Sequence, residues 1–384
     1  MTRIVSGHRI LLSCLGMNAP MFYRRATDGT RLQVPLENQY AGPVATPCWL
    51  IGAGPSLSKL DLDEISRSPA SRFGVNLAGS GLIRPDLWTS YDPTVRFHRS
   101  IYLDSSVIKF VHESRAMDLI PETTYKVCDA PNLYLIDRTQ TRGFHEFPGQ
   151  SNSPITDWQD SLIQAIDIAY RLGFRELYLT GCDLWIAPSR AWRRAAATLG
   201  VVYQPREPLG DFVHRCEHAG MERARMEELN TGPQYHFDEC KSLSAAIQTD
   251  AHYFRVAQTL RLCRRAMGLA GLKLISVTSG SRLNDHFPFL SVHQAARRIL
   301  DQTGDPTREQ TRGRYSTLQT RHPLQTSPMR DVRPHFWPAA KTDLPQKSNA
   351  VGNGKGTALR DPLVRLRQAV EELPEVPIDL NAEE

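Results

Sequence analysis

The sequence predicts an α/β domain built on a mostly parallel sheet. Three observations carry that expectation. Short apolar runs end repeatedly in glycine, asparagine or aspartate, as buried parallel strands do where they meet a ligand-facing turn. Cys48-Trp-Leu-Ile51 runs into Gly52-Ala-Gly-Pro-Ser-Leu57, a strand followed by a Gly-rich turn. An amphipathic stretch ending at Gly173 and the run Glu176-Leu-Tyr-Leu-Thr180 before Gly181 give helix, glycine, strand, glycine in sequence, half of a βαβ unit. Together these describe a Rossmann-like nucleotide-binding core.

The chain has 384 residues, 41% hydrophobic and 23% charged, which is a globular composition able to bury a sizeable core. A formal net charge of +5 suits a phosphorylated small ligand and does not call for nucleic acid. The seven cysteines are isolated, with no CxxC pair, so a zinc site or disulfide framework is not expected and a reducing, cytoplasmic setting is. No apolar run reaches the roughly 18 residues of a membrane span. The apolar stretch Ile10 to Met17 is too short for a clear signal peptide.

Residues 1–46 lack periodicity and read as an irregular leader with at most one short strand. The domain is expected over 47–300. After the strand at Cys48–Ile51, residues Ser58 to Ser68 suit a short helix, with Leu60, Leu62 and Ile65 as its apolar face. Strands follow at Arg72–Asn76, Leu87–Tyr91 and Val107–Val111. Asp157 to Leu172 reads as a helix, Ala251 to Ala270 as a basic one, and Leu272 to Val277 as the last strand. Between them, residues 186–234 carry many arginines, acids and prolines and read as a partly helical lid insertion. Residues 301–384, rich in Pro, Gln, Thr and Arg, read as a disordered tail, apart from an amphipathic stretch at Leu363–Leu373.

Candidate site residues sit at strand ends, because the carboxyl ends of parallel strands face the ligand crevice. Gly52, Gly54, Pro55 and Ser56 let the backbone approach a phosphate or ribose, although Leu57 stands where a dinucleotide fingerprint would place its third glycine. On that reading Gly54→Val costs ligand binding more than stability. Asn76 can both donate to and accept from a nucleotide. Asp92, after Pro85-Asp-Leu-Trp-Thr-Ser-Tyr91, can hold a ribose hydroxyl or a metal ion, or simply make an Asp-Pro turn. Ser161 offers a hydroxyl near the start of a helix. His236 and His252 are candidate general bases. The pairs Arg193-Arg194 and Arg264-Arg265 are candidate phosphate contacts, or solvated helix faces.

In order, these motifs are GxGPSL, a strand ending in Asn, PDxWxSYDP, LGFxELYLTGCDL, YxFD, HY and KLISVTSGSRL. The arrangement over about residues 48–300 resembles the bacterial sialyltransferases of glycosyltransferase family 42. It also resembles the related domain of unknown function 115, which includes 6-hydroxymethylpterin diphosphokinases. The resemblance implies that Gly52, Gly54, Asn76, Asp92, Ser161 and Gly181 bind the nucleotide of a CMP-sugar-like donor. It implies that Tyr235 holds the donor phosphate and that His252, in the HY pair, is the catalytic base for a small-molecule or glycan acceptor. The chain departs from that pattern at Trp185, where those enzymes carry a second phosphate-binding tyrosine, at Leu162, which replaces a glycine, and in the longer segment between Gly181 and Tyr235. Two other expectations stand beside it. One is a diphosphokinase-like enzyme needing Mg²⁺ held by Asp92 and Asp183. The other is a module that only binds nucleotide.

Overall fold

The computed structural model describes residues 21–26, 28–42, 46–79, 82–97, 99–140, 142–150, 153–230 and 241–303. Of the tail expected to be disordered from residue 301, residues 301–303 are helical and the rest lies outside the described residues, as do Tyr235 and His236.

The elements, in chain order, are β1 (Tyr23–Arg25), β2 (Arg31–Gln33), β3 (Thr46–Ile51), α1 (Leu62–Arg67), β4 (Ser71–Val75), β5 (Leu87–Thr89), α2 (Arg99–Leu103), β6 (Ile108–His112), β7 (Leu133–Ile136), β8 (Arg138–Thr139), β9 (Ile155–Thr156), α3 (Ser161–Leu172), β10 (Phe174–Thr180), α4 (Arg190–Thr198), α5 (Leu209–His218), α6 (Arg223–Leu229), α7 (Leu243–Leu269), β11 (Lys273–Ser276) and α8 (Val292–Thr303). Nine strands form one sheet in the order β11-β10-β3-β4-β5-β6-β7-β1-β2. The seven strands from β11 to β7 are parallel, and β1 and β2 add an antiparallel hairpin at the β7 side.

Every residue of β3 is buried, as a central strand covered on both faces requires. Its side chains alternate between two cores. Cys48 and Leu50 join Phe73, Phe110, Ile166 and Leu260 on the side of α3 and α7. Trp49 and Ile51 join Trp88, Tyr178, Ile275 and Ile299 on the side of α1, α2 and α8. The result is a three-layer α/β/α stack. The insertion adds α4, α5 and α6, which gather Trp192, Leu209, Phe212 and Met226 into a third core against the start of α7.

Several expectations need correction. Residues 21–40 are not an irregular leader: Phe22, Val34, Leu36 and Tyr40 are buried in the first core and two strands, not one, extend the sheet. The Gly-rich turn does not open an α-helix directly; it enters a three-residue 3₁₀ turn at Leu57–Lys59, and α1 starts only at Leu62, capped by Asp61. The strand before Asn76 ends at Val75, because Asn76 takes the left-handed conformation (φ 55°). Likewise α3 starts at Ser161 and not Asp157, because Trp158 (φ 40°) and Gln159 (φ 62°) are left-handed and Asp160 is the N-cap. Gly173 ends α3 at φ 108°, as its sequence position indicates. The basic helix is longer than expected and begins at Leu243. The strands β7, β8 and β9 and the helix α8 have no counterpart in the sequence reading.

Candidate functional site

The strand order reverses between β3 and β10. From β3 the chain winds one way through β4 to β7, and from β10 it winds the other way to β11. Their carboxyl ends therefore lead loops apart and leave a crevice, the usual ligand position in such sheets. A pocket of about 70 Å³ lies there, bounded by the Gly52–Pro55 backbone, Asn76, Asp160, Ser161, Asp183, Trp185 and Tyr253. Ligand pockets commonly measure about 300–1,000 Å³, so this one fits a single ring-sized moiety rather than a whole nucleotide.

The loops after β3 and β10 meet backbone to backbone. Gly54 N–H donates to the Gly181 carbonyl (2.9 Å) and Gly52 N–H to that of Thr180 (2.8 Å). A Cβ at Gly54 would stand 2.1 Å from Asp183 Oδ2 and 2.7 Å from the Gly181 carbonyl oxygen; one at Gly52 would stand 2.8 Å from the same oxygen. Gly181 itself has φ 64°. These glycines are required by the approach of one loop to the other, which corrects the expectation that Gly54 chiefly clears space for a ligand.

Asp183 fills the anion position of the loop. Its Oδ2 accepts from Ser56 N–H (3.2 Å) and from Ser56 Oγ (2.8 Å). Burial raises its pKa, while the two Ser56 bonds act the other way. Burial also pushes the neighbouring Cys182 thiol up to about 12, so it is no thiolate at neutral pH. Among the described residues lining the pocket there are two carboxylates, Asp160 and Asp183, and no cationic side chain.

The β5 side is wired by hydroxyls. Ser90 Oγ donates to Asn76 Oδ1 (2.6 Å), which leaves the Asn76 amide NH₂ as the group to meet a ligand. Tyr91 N–H donates to Ser161 Oγ (2.9 Å), and Gln164 Nε2 donates to Thr89 Oγ1 (2.6 Å). These bonds fasten the first turn of α3 to the end of β5.

Asp160 links that turn to α7. Its Oδ1 accepts from the Leu162 and Ile163 amides (2.8 and 3.0 Å), the N-cap of α3. Its Oδ2 lies 3.0 Å from His252 Nε2. His252 thus stands beside the pocket through Asp160, and the next residue, Tyr253, lines it.

The loop after β10 is held in a strained form. Leu184 has φ 54°, unfavourable for a branched side chain, and its carbonyl accepts from Arg282 Nη1 (2.9 Å). Arg282 is paired in turn with buried Asp250 (3.3 Å), whose carboxylate also accepts from the Ile186 and Leu209 amides (2.8 and 2.9 Å). One buried ion pair therefore ties α7, the insertion and the loops after β10 and β11 together.

The structure thus brings Gly52, Gly54, Pro55, Asn76, Ser161 and Gly181 around one pocket. Ser56 bonds Asp183 at its edge. Asp92 is not part of the lining: its carboxylate is paired with Arg96 (2.8 Å) within its own turn. Arg193, Arg194, Arg264 and Arg265 are solvent-exposed on α4 and α7. The sequence reading missed Asp160 and Tyr253 at the pocket and the Asp250–Arg282 pair behind it. Asp160 had a signal, an N-cap aspartate ahead of an apolar run. The buried pair had none, because its members are distant in sequence.

The sequence matches no protein-family profile, and no curated protein matches it. Among solved structures it is similar to the MAf glycosyltransferase from Magnetospirillum magneticum AMB-1, at 16% identity and a TM-score of 0.34, over 70% of this chain and 40% of that one. The chain therefore spans less than half the length of that protein. Among the described residues no helix is long and apolar enough to cross a membrane.

Proposed function

We propose that the protein is a nucleotide-dependent transferase, a glycosyltransferase with a CMP-sugar-like donor, in which His252 is the general base. The observation that carries this reading is the Asp160–His252 contact (3.0 Å) beside a pocket at the sheet's switch point. With Nε2–H donating to Asp160, Nδ1 carries the lone pair that takes the proton of an acceptor hydroxyl. Asp160, itself fixed by two α3 amides, orients the ring. The small, carboxylate-lined pocket suits the hydroxyl-bearing ring of a nucleoside better than its phosphate; stabilising the phosphate, whose charge grows as it leaves, is the role the resemblance gives Tyr235. Gly52, Gly54, Pro55, Ser56 and Gly181 shape this subsite, and Asn76 and Ser161 supply its donors.

The Mg²⁺-dependent reading does not fit the carboxylates present. Asp183 is engaged by Ser56 and Asp92 by Arg96, and of these two expected ligands Asp92 is not in the pocket lining. Among the described residues no three His, Cys, Asp or Glu side chains gather as a metal site.

A thermal-shift panel of CMP, CDP, UDP, GDP and ATP identifies the nucleotide. With the matching nucleotide sugar, His252→Ala is expected to lower transfer by about 10²- to 10⁴-fold while calorimetric nucleotide affinity stays within about twofold. An undiminished rate refutes the base. Nucleotide binding by the intact protein without transfer to any acceptor establishes the binding-module reading in its place.

A further inference from the structure

A larger cavity lies away from this site, at the β11 edge of the sheet. It measures about 370 Å³; Met267, Leu274, Phe287 and Leu290 give it an apolar wall, and Arg264, Lys273 and Arg298 its charge. β11 is an edge strand whose inner side pairs with β10. On its outer side Ser276 N–H donates to the Pro288 carbonyl (2.8 Å) and the Ser276 carbonyl accepts from Leu290 N–H (3.0 Å). Alternation puts the Leu274 N–H and carbonyl on that same outer side, where no described backbone group bonds them. Exposed apolar side chains flank the place in sequence: Leu269 (82% exposed), Phe289 (44%) and Leu300 (43%). An open, apolar strand edge is a pairing template that folded proteins usually cover.

The charge of the groove defines what covers it. Buried Glu176 is shared by Lys273 (3.2 Å) and Arg298 (2.8 Å), one carboxylate for two cations. The Arg264 guanidinium lies over the Phe287 ring at 5.9 Å. The groove therefore keeps an excess of positive charge and suits an extended segment that is apolar on one face and acidic on the other.

This chain carries such a segment, Glu371-Glu-Leu-Pro-Glu-Val-Pro-Ile-Asp-Leu380. In an extended conformation Val376, Ile378 and Leu380 share one face and Glu375 and Asp379 the other. Pro377 confines the segment to an edge position, with its missing N–H turned away from the partner strand. When the segment runs antiparallel to β11 with Val376 opposite Leu274, the two residues exchange their backbone bonds and that condition is met; the Val376 and Ile378 side chains then share the Leu274 face, and those of Glu375 and Asp379 the Lys273 face. The described chain ends at Thr303, five residues and about 7.5 Å along α8 from Arg298. It therefore leaves close to the groove, and closing a long intervening loop costs little more than closing a short one.

We infer that Glu371–Leu380 pairs with the outer edge of β11 in the same molecule, seating Val376 and Ile378 on the groove and its four carboxylates among Arg264, Lys273 and Arg298. The test uses the full chain at low concentration, mixed from normal and ¹⁵N-labelled preparations and treated with a zero-length carbodiimide. The expected product joins Lys273 to Glu371, Glu372, Glu375 or Asp379 within one isotopic chain and disappears in the double variant Val376→Asp, Ile378→Asp. In that variant the Leu274 amide should exchange at least about tenfold faster by hydrogen-exchange NMR. Coupling of Lys273 to Glu176 alone, or equal Leu274 exchange in the two proteins, overturns the proposal. So does coupling between labelled and unlabelled chains, which gives the edge to a second copy.

Discussion

Asp183 accepts both the amide and the hydroxyl of Ser56, at 3.2 and 2.8 Å, and so binds the loop after β10 to the loop after β3. A carboxylate of the protein thereby occupies the position that a Gly-rich turn offers to an anion. The two loops together form the floor of the pocket, and their glycines serve that contact.

Gly54→Val is accordingly expected to lower stability before it affects any ligand. Its Cβ would fall 2.1 Å from Asp183 Oδ2 and 2.7 Å from the Gly181 carbonyl, and the backbone partner cannot yield. A loss of about 3 kcal/mol in urea unfolding is expected. A variant with wild-type stability would show that the loops separate readily.

Asp183 also makes stability depend on pH. Burial raises its folded pKa above the ordinary value of 3.8. The folded state then holds the proton more tightly than the unfolded chain, so the stability linked to this group is greatest below 3.8 and falls as pH rises through the raised value. Asp183→Asn, which keeps an oxygen acceptor for Ser56, should flatten that decline in denaturation curves taken from pH 4 to 8.

Lys109 gives the opposite slope. It is fully buried on β6, with Nζ donating to the Asp104 carbonyl (2.5 Å), and burial lowers its pKa from 10.5 to about 7. Between about 7 and 10.5 the unfolded chain binds the proton and the folded one does not, so this contribution rises with pH across that window and is at its minimum below pH 7. The span is on the order of 5 kcal/mol. Lys109→Met should raise the thermal midpoint at pH 6 and remove most of the rise toward pH 10.

Asp250→Ala leaves Arg282 buried without its charge partner and frees the Ile186 and Leu209 amides. Breaking one side of such a pair costs about 3–5 kcal/mol. Hydrogen exchange should quicken first in residues 186–209, where the insertion joins the core. Uniform loosening of the whole chain would show that the pair does not act as a local clamp.

Much of the core was legible along the chain. The apolar run of β3, the periodicity and glycine cap of α3, and the strands β4, β5, β6, β10 and β11 each carry a local pattern of burial that one linear stretch displays. Boundaries were less legible, because they depend on single backbone conformations. Asn76 leaves its strand because it is left-handed, and α3 waits for Asp160 because Trp158 and Gln159 are left-handed. The hairpin β1–β2 was hidden because its strands have three residues each, and Arg31, Leu32 and Gln33 are all exposed, which leaves no alternation to read.

By itself the sequence determined the α/β class, the Gly-rich turn after a buried strand, and the residues able to do chemistry at strand ends. Local pattern decides those, because burial periodicity and turn propensity act over a few residues. Only the tertiary structure decided which of those residues meet. Gly52, Asn76 and Ser161 line one pocket because three separate strand and helix ends converge at the switch point, while Asp92 turns to Arg96. Asp183 reaches Ser56, and Asp160 reaches His252 across 92 positions of chain, because the sheet order sets β10 beside β3 and packs α7 on α3. Contacts of that range are consequences of packing, which no single stretch of residues encodes.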